Sequence, residues 1–261
     1  MGARTSVLPP LSARTTKLRD PPMISEERPV MPLPIPAPLT PPEGFAARLT
    51  AIGVALDEAT IVKLGDYLAR MLAMNELMNL TAIKDPVDAW EKHVLDALTL
   101  VPHLAELPAG ARLVDVGSGG GLPGIPLAIV RPDLQVTLVE ATLKKANFLK
   151  AVSAAIGLTN VSVRAERAEQ LGKGDLRGMF DAVTARAVGR LVMLVPLTSP
   201  FARPGGLVLL VKGQRAEEEI AEASWVLGRQ RVTLVKTIPT PTGKIVVLRR
   251  AGEEPKRQFS R

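Results

Sequence analysis

Four glycines in five positions, Gly117-Ser118-Gly119-Gly120-Gly121, follow Val114-Asp115-Val116 and precede Leu122-Pro123-Gly124-Ile125-Pro126-Leu127. Without a Cβ such a loop turns tightly and lets a ligand lie against its backbone. A helix opening after it would add unpaired N–H groups near polar ligand atoms. Pro123 and Pro126 are compatible with that first helical turn. By itself the loop is ambiguous. Gly119, Gly121 and Gly124 also spell the dinucleotide pattern, and Glu140 could take a ribose in either case. Asp115 weighs for S-adenosylmethionine, because a carboxylate in the strand before the loop suits the cationic methionyl end of that cofactor. Glu140, at the end of the next strand, is placed to accept from both ribose hydroxyls; its plainer reading is a cap for a helix at Thr142.

The acceptor is narrowed by what the chain lacks. The strand ending Asp181-Ala182-Val183-Thr184-Ala185-Arg186-Ala187 carries no Asn/Asp-Pro-Pro-aromatic run of the kind used on exocyclic amines. With no cysteine there is no nucleophile for pyrimidine C5, no disulfide and no cysteine-ligated metal. An atom with a free lone pair remains, and guanine N7 fits. Catalysis would rest on proximity and in-line alignment, with no general base and no covalent intermediate. Arg186, at the C-terminal edge of a central strand, faces the crevice where open α/β sheets bind ligands. Its plainer reading is a surface ion pair. His93 and Asp96 are three apart and share a helical face; a histidine beside an apolar stripe reads first as structural.

A net charge of +7 favours a polyanionic partner, and 3% aromatic residues argue against a module that stacks successive bases. Lys144, Lys145, Lys150, Arg190, Lys212 and Arg215 form a candidate phosphate-contacting rim, part of it a solvated helix face. The basic stretch at Arg249, Arg250, Lys256 and Arg257 is a weaker candidate.

These residues need a frame to hold them. Residues 1–42 carry eleven of the 23 prolines, which predicts an extended, poorly ordered tail, dispensable or preceding a later start at Met23 or Met31. Residues 43–108 read as a helical cap: a short helix through Phe45, Leu49 and Ile52, a longer one capped by Asp57, and a third opened by Asp85-Pro86. Residues 109–261 alternate short apolar runs with amphipathic segments, as βα units around a parallel sheet do. Strands are expected at Arg112–Val116, Gln135–Glu140, Val161–Ala165, Phe180–Thr184 and Gly206–Val211. Gln230–Ile238 and Lys244–Arg250 are too close for a crossover helix and predict an antiparallel hairpin. Five parallel strands ending in a hairpin describe the α/β class I methyltransferase sheet.

The run Gly117 to Leu127, followed by Arg131-Pro132-Asp133, resembles the bacterial ribosomal RNA small-subunit methyltransferase G family, also called glucose-inhibited division protein B. Asn79-Leu80-Thr81, His93-Val94-Leu95-Asp96, Ala185-Arg186-Ala187 and Lys212-Gly213 extend the resemblance from about residue 45 to the C-terminus. It implies a cytoplasmic enzyme that methylates guanine N7 in 16S ribosomal RNA, using S-adenosylmethionine and no metal. It also implies cofactor contacts at Gly117, Gly119 and Leu122, ribose binding by Glu140, adenine binding at Ala168-Glu169, and Arg186 in the cofactor and substrate site. Lys144, Lys145, Arg190 and Lys212 would meet RNA, as naked RNA or in a 30S particle, with the enzyme monomeric and free of membrane. An NAD-dependent oxidoreductase and a non-catalytic ribosome-assembly or RNA-binding protein on the same fold are the rival readings.

Overall fold

The computed structural model describes Gly2, residues 32–186 and residues 189–252. Local signals set the first helices. α1 (Phe45–Ala51) is short, and α2 (Glu58–Met78) starts where the Asp57 side chain accepts the Thr60 N–H at 2.8 Å. α3 (Pro86–Ala89) starts in the same way, with Asp85 accepting from Asp88 N at 2.9 Å. It runs on through a π-helical stretch, Trp90–Leu95, into α4 (Asp96–Leu98). The π-helical stretch escapes a 3.6-residue reading, and it falls on the segment that carries His93. Such bulges gather at functional sites.

The second half is a sheet with helical crossovers. β1 (Arg112–Val116), β2 (Gln135–Val139), β3 (Val161–Arg164), β4 (Phe180–Arg186) and β5 (Ala202–Lys212) are parallel; β6 (Val232–Pro239) and β7 (Lys244–Arg250) pair antiparallel. The order is β3-β2-β1-β4-β5-β7-β6. The crossovers are α5 (Gly124–Val130), α6 (Leu143–Ala155), α7 (Ala168–Leu171), α8 (Leu191–Thr198) and α9 (Ala216–Arg229). Five parallel strands closing on an antiparallel hairpin form a class I methyltransferase sheet, as expected. β4 runs two residues beyond the expected Thr184 and so ends on Arg186.

Residues 43–108 do not stand apart from the sheet. Residues 32–186 and 189–252 belong to one compact unit, and Leu64, Trp90 and Leu98 share a core with Leu113, Leu127 and Leu138. The Arg131-Pro132-Asp133 run fastens the two. Arg131 donates to the carbonyls of Leu104 (2.7 Å) and Leu107 (3.1 Å) while Asp133 holds its other donors. No helix among the described residues is long and apolar enough to cross a membrane.

The expectation of a loose tail through residue 42 is corrected for residues 32–42, while residues 3–31 lie outside the described ones. Leu33 and Leu39 pack on the core, Leu39 N donates to Gly65 O at 3.1 Å, and Arg70 donates to Pro34 O at 3.2 Å. A Cβ on Gly65 would stand 2.2 Å from Leu39 O, so only glycine lets this strap lie against α2. Proline-rich sequence signals an extended chain, and an extended chain can still be pinned. A chain starting at Gly44 is therefore expected to melt several degrees below one starting at Pro32, as differential scanning fluorimetry would show.

Candidate active site

Register decides which residues meet. Val116 lies opposite Val139 and Asp115 opposite Thr184, so the C-terminal ends of β2, β1 and β4 are adjacent. The glycine loop, Glu140 and Arg186 therefore share one edge of the sheet, the position at which open α/β sheets bind ligands.

The loop is braced largely from within. Gly117 N and Ser118 N donate to Val139 O (2.9 and 3.0 Å), and Gly121 N and Leu122 N donate to Ser118 O (2.7 and 3.0 Å). Gly119 N donates to Glu140 Oε2 at 2.9 Å, and Gly124 N donates to Asp115 Oδ2 at 3.3 Å. These N–H groups do not face a ligand as donors. What the loop offers is bare backbone at Gly117 and Gly119, which are half-buried, while Gly120, Gly121 and Leu122 are buried. A Cβ on Gly119 would have only Gly117 O within 4 Å, so the space above it is open. Gly124 serves packing: a Cβ there would come 2.3 Å from Leu138 Cδ2 and 2.9 Å from Asp115 Oδ2.

Asp115 corrects the expectation of contact with a methionyl group. It is fully buried beneath the loop, accepting from Gly124 N and from the Thr184 hydroxyl at 3.0 Å. Its carboxylate reaches the crevice only through the loop that it holds. Burial pushes its pKa up to about 6, against the pull of hydrogen bonds from Ser118, Thr184 and Gly124 and the charge of Arg186.

Glu140 takes its plainer reading and adds a second contact. Oε1 accepts from Thr142 N at 2.7 Å, the helix-end role, while Oε2 accepts from Gly119 N and ties β2 to the loop. A carboxylate has about four lone-pair positions, so two acceptor sites remain. Ala168 and the exposed Glu169 open α7 after β3, the strand beyond β2, one step further out along the same edge.

Arg186 is neither free nor a surface ion pair. It donates to Lys92 O (2.7 Å), to Asp96 Oδ2 (3.2 Å) and to His93 Nδ1 (3.1 Å). Burial first, then the Arg186 charge, lowers the His93 pKa to about 4. The ring is therefore neutral near pH 7. It accepts from Arg186 on Nδ1 and donates from Nε2 to Thr81 Oγ1 at 2.8 Å. The Asp96 Oδ1 accepts from Thr242 in the β6–β7 turn. His93 and Asp96 thus place the arginine. Ala187, the last residue of that expected run, lies outside the described residues.

Tyr67 was not singled out by the sequence reading. Fully buried in α2, it donates its hydroxyl to Gly120 O at 2.9 Å, and burial raises its pKa above the usual range. The only signal was a lone tyrosine among Leu64, Leu68 and Met71 on an apolar stripe.

The expected RNA-facing residues divide. Lys144 is exposed and Lys145 half-buried in the first turn of α6, beside Glu140. Arg190, exposed before α8, pairs with Glu222. Lys212 does not join a rim: its side chain is 8% exposed, bonded to Gly189 O and paired with Glu219 at 2.9 Å.

Residues 60–244 match the family described as GidB, rRNA small subunit methyltransferase G. A ribosomal RNA small subunit methyltransferase G of Sorangium cellulosum is 78% identical over 239 residues, 92% of this chain and all of that one. One from Burkholderia thailandensis is 45% identical over 171 residues, 65% of this chain and 74% of that one. Among solved structures, a SAM dependent methyltransferase from Aquifex aeolicus has a TM-score of 0.49 at 16% identity, covering 63% of this chain and 93% of that one. The chain belongs to the ribosomal RNA small subunit methyltransferase G family.

Proposed function

We propose that the chain transfers the methyl group of S-adenosylmethionine to N7 of a guanine in small-subunit ribosomal RNA. It would act in the cytoplasm as a monomer, on the RNA alone or within the 30S particle. Family membership makes it an S-adenosylmethionine-dependent ribosomal RNA methyltransferase. The observation that carries the site is the convergence of open backbone at Gly117 and Gly119, the Glu140 carboxylate and Arg186 on one sheet edge.

These residues fit the cofactor. Gly119 leaves open the space that a side chain would fill. Glu140 keeps acceptor sites for two ribose hydroxyls, and Ala168 and Glu169 lie further out, where the adenine would follow. Bound there, S-adenosylmethionine supplies an electrophilic methyl group on sulfur. Leu122, buried with its N–H on Ser118 O, and Asp115, beneath the loop, would act by holding the loop. Arg186, fixed by Asp96 and His93, orients acceptor and cofactor. N7 already has its lone pair, so alignment takes the place of a general base. Lys144, Lys145 and Arg190 would meet RNA phosphates.

The test is transfer from labelled S-adenosylmethionine to unmodified small-subunit RNA and 30S particles, followed by mapping of the nucleotide. Label on N7 of one guanine is expected; label elsewhere, or none, refutes the reading. Glu140→Ala should raise KM for S-adenosylmethionine about tenfold or more. S-adenosylmethionine, and not NADH, should raise the melting temperature.

A further inference from the structure

Arg177, Arg229, Arg231 and Arg250 line a cavity of about 250 Å³, with Ser199 and Gln230 between them. It lies at the sheet edge opposite the crevice. Phe180, opposite Ala202 near the cavity, lies six residues before Arg186 on β4, which puts roughly 20 Å between the two.

The cavity is a built one. Arg250, half-buried, donates to the carbonyls of Ser199 (3.3 Å), Pro200 (2.9 Å) and Ala202, which fixes its guanidinium. Burial, and then the facing charges of Arg177 and Arg231, hold it below the usual arginine range. Arg231 adopts φ +55°, a left-handed conformation unfavourable for an L side chain. It is kept there by N–H donation to Gly228 O (3.1 Å) and by Ala251 N donating to its carbonyl (2.8 Å).

Arg131, Arg164 and Arg203 each pair with an aspartate. Among the described residues the four cavity arginines take part in no ion pair. Like charges gathered on fixed backbone raise the local potential, and a multiply charged anion lowers it. Planar guanidinium groups match phosphate oxygens in particular.

We propose that this cavity is a phosphate-binding site, separate from the methyl-transfer crevice. Its ligand is either the sugar–phosphate backbone of the RNA substrate or the phosphate of a free anion. The RNA source rests on the proposed function; the free-anion source does not.

The experiment compares the full chain with Arg229→Gln/Arg231→Gln, which keeps its melting temperature because both side chains are exposed. Pyrophosphate should raise the melting temperature of the full chain and not of the variant. If RNA is the source, the variant's KM for RNA rises about tenfold with kcat unchanged. Its slope of log affinity against log salt then becomes shallower by roughly 1 to 2. A pyrophosphate effect with an unchanged KM also supports the site and assigns it to a free anion. Equal pyrophosphate response and equal KM in both proteins overturn the proposal. So does pyrophosphate binding that occurs only in a chain ending at Gly252, since residues 253–261, which include Glu253 and Glu254, would then be the occupant. Should neither protein transfer a methyl group, the proposed function fails while pyrophosphate still decides the cavity.

Discussion

Arg186→Ala is expected to abolish methyl transfer and also to lower fold stability by about 3–5 kcal/mol. The second effect follows from Asp96, whose side chain is 4% exposed. Without the guanidinium, Asp96 keeps the Thr242 hydroxyl on one oxygen but faces no countercharge, and the Lys92 carbonyl and His93 Nδ1 lose their donor. Removal of Arg186 therefore does not spare the fold. Adding Asp96→Asn separates the two roles. The double variant should recover most of the lost stability, because the uncompensated charge is gone, and should still fail to transfer methyl. Urea unfolding of the wild type, both single variants and the double variant measures the coupling. Wild-type stability in Arg186→Ala would show that the pair is not buried in solution. Transfer restored in the double variant would take Arg186 out of the site.

Legibility in the sequence followed the range of the interaction. Elements set by neighbouring residues were readable: Asp57 and Asp85 cap the helices expected of them, and β1 and β7 span the expected residues. The place of Glu140 after β2 was readable because strand, loop and next strand lie within one short stretch. The partners of Arg186 were not, since Asp96 lies 90 residues away and no local periodicity links them. Tyr67 and Gly120 are 53 apart, and a tyrosine on an apolar stripe reads as core until its hydroxyl is followed to the loop. Lys212 and residues 32–42 misled for a related reason. Composition reports solubility and extension but not whether a charge finds Glu219 or an extended segment finds Gly65. The resemblance to a family identified the crevice without showing that Asp115 works beneath it.

Asp115→Asn is expected to make the fold more stable at pH 7 and to change how stability depends on pH. Asp115 has its pKa raised from 3.8 to about 6 by burial, so its ionised form is the disfavoured one. Its contribution is fully present below pH 3.8 and is lost as pH rises through about 6, a loss of about 3 kcal/mol. His93 runs the other way. Its pKa is lowered from 6.5 to about 4, so its contribution is present above 6.5 and is lost as pH falls through about 4. Again about 3 kcal/mol is involved. Across roughly pH 4 to 6.5 the two slopes oppose each other, and their sum in the wild type is nearly flat. Asparagine fits the site: its carbonyl can accept from Gly124 N, and its amide can donate to Thr184 Oγ1, leaving that hydroxyl to turn towards Val114 O, now 3.5 Å away. The variant should therefore gain about 3 kcal/mol over the wild type at pH 7, converge with it near pH 4, and show the bare acid lability of His93 in between. Denaturant unfolding from pH 4 to 7 reads this directly. A constant difference between the two proteins across that range would mean that Asp115 does not titrate with a raised pKa. Retention of S-adenosylmethionine binding by the variant would agree with a carboxylate that acts by holding Gly124 and the loop, whereas its loss would restore a charge role towards the cofactor.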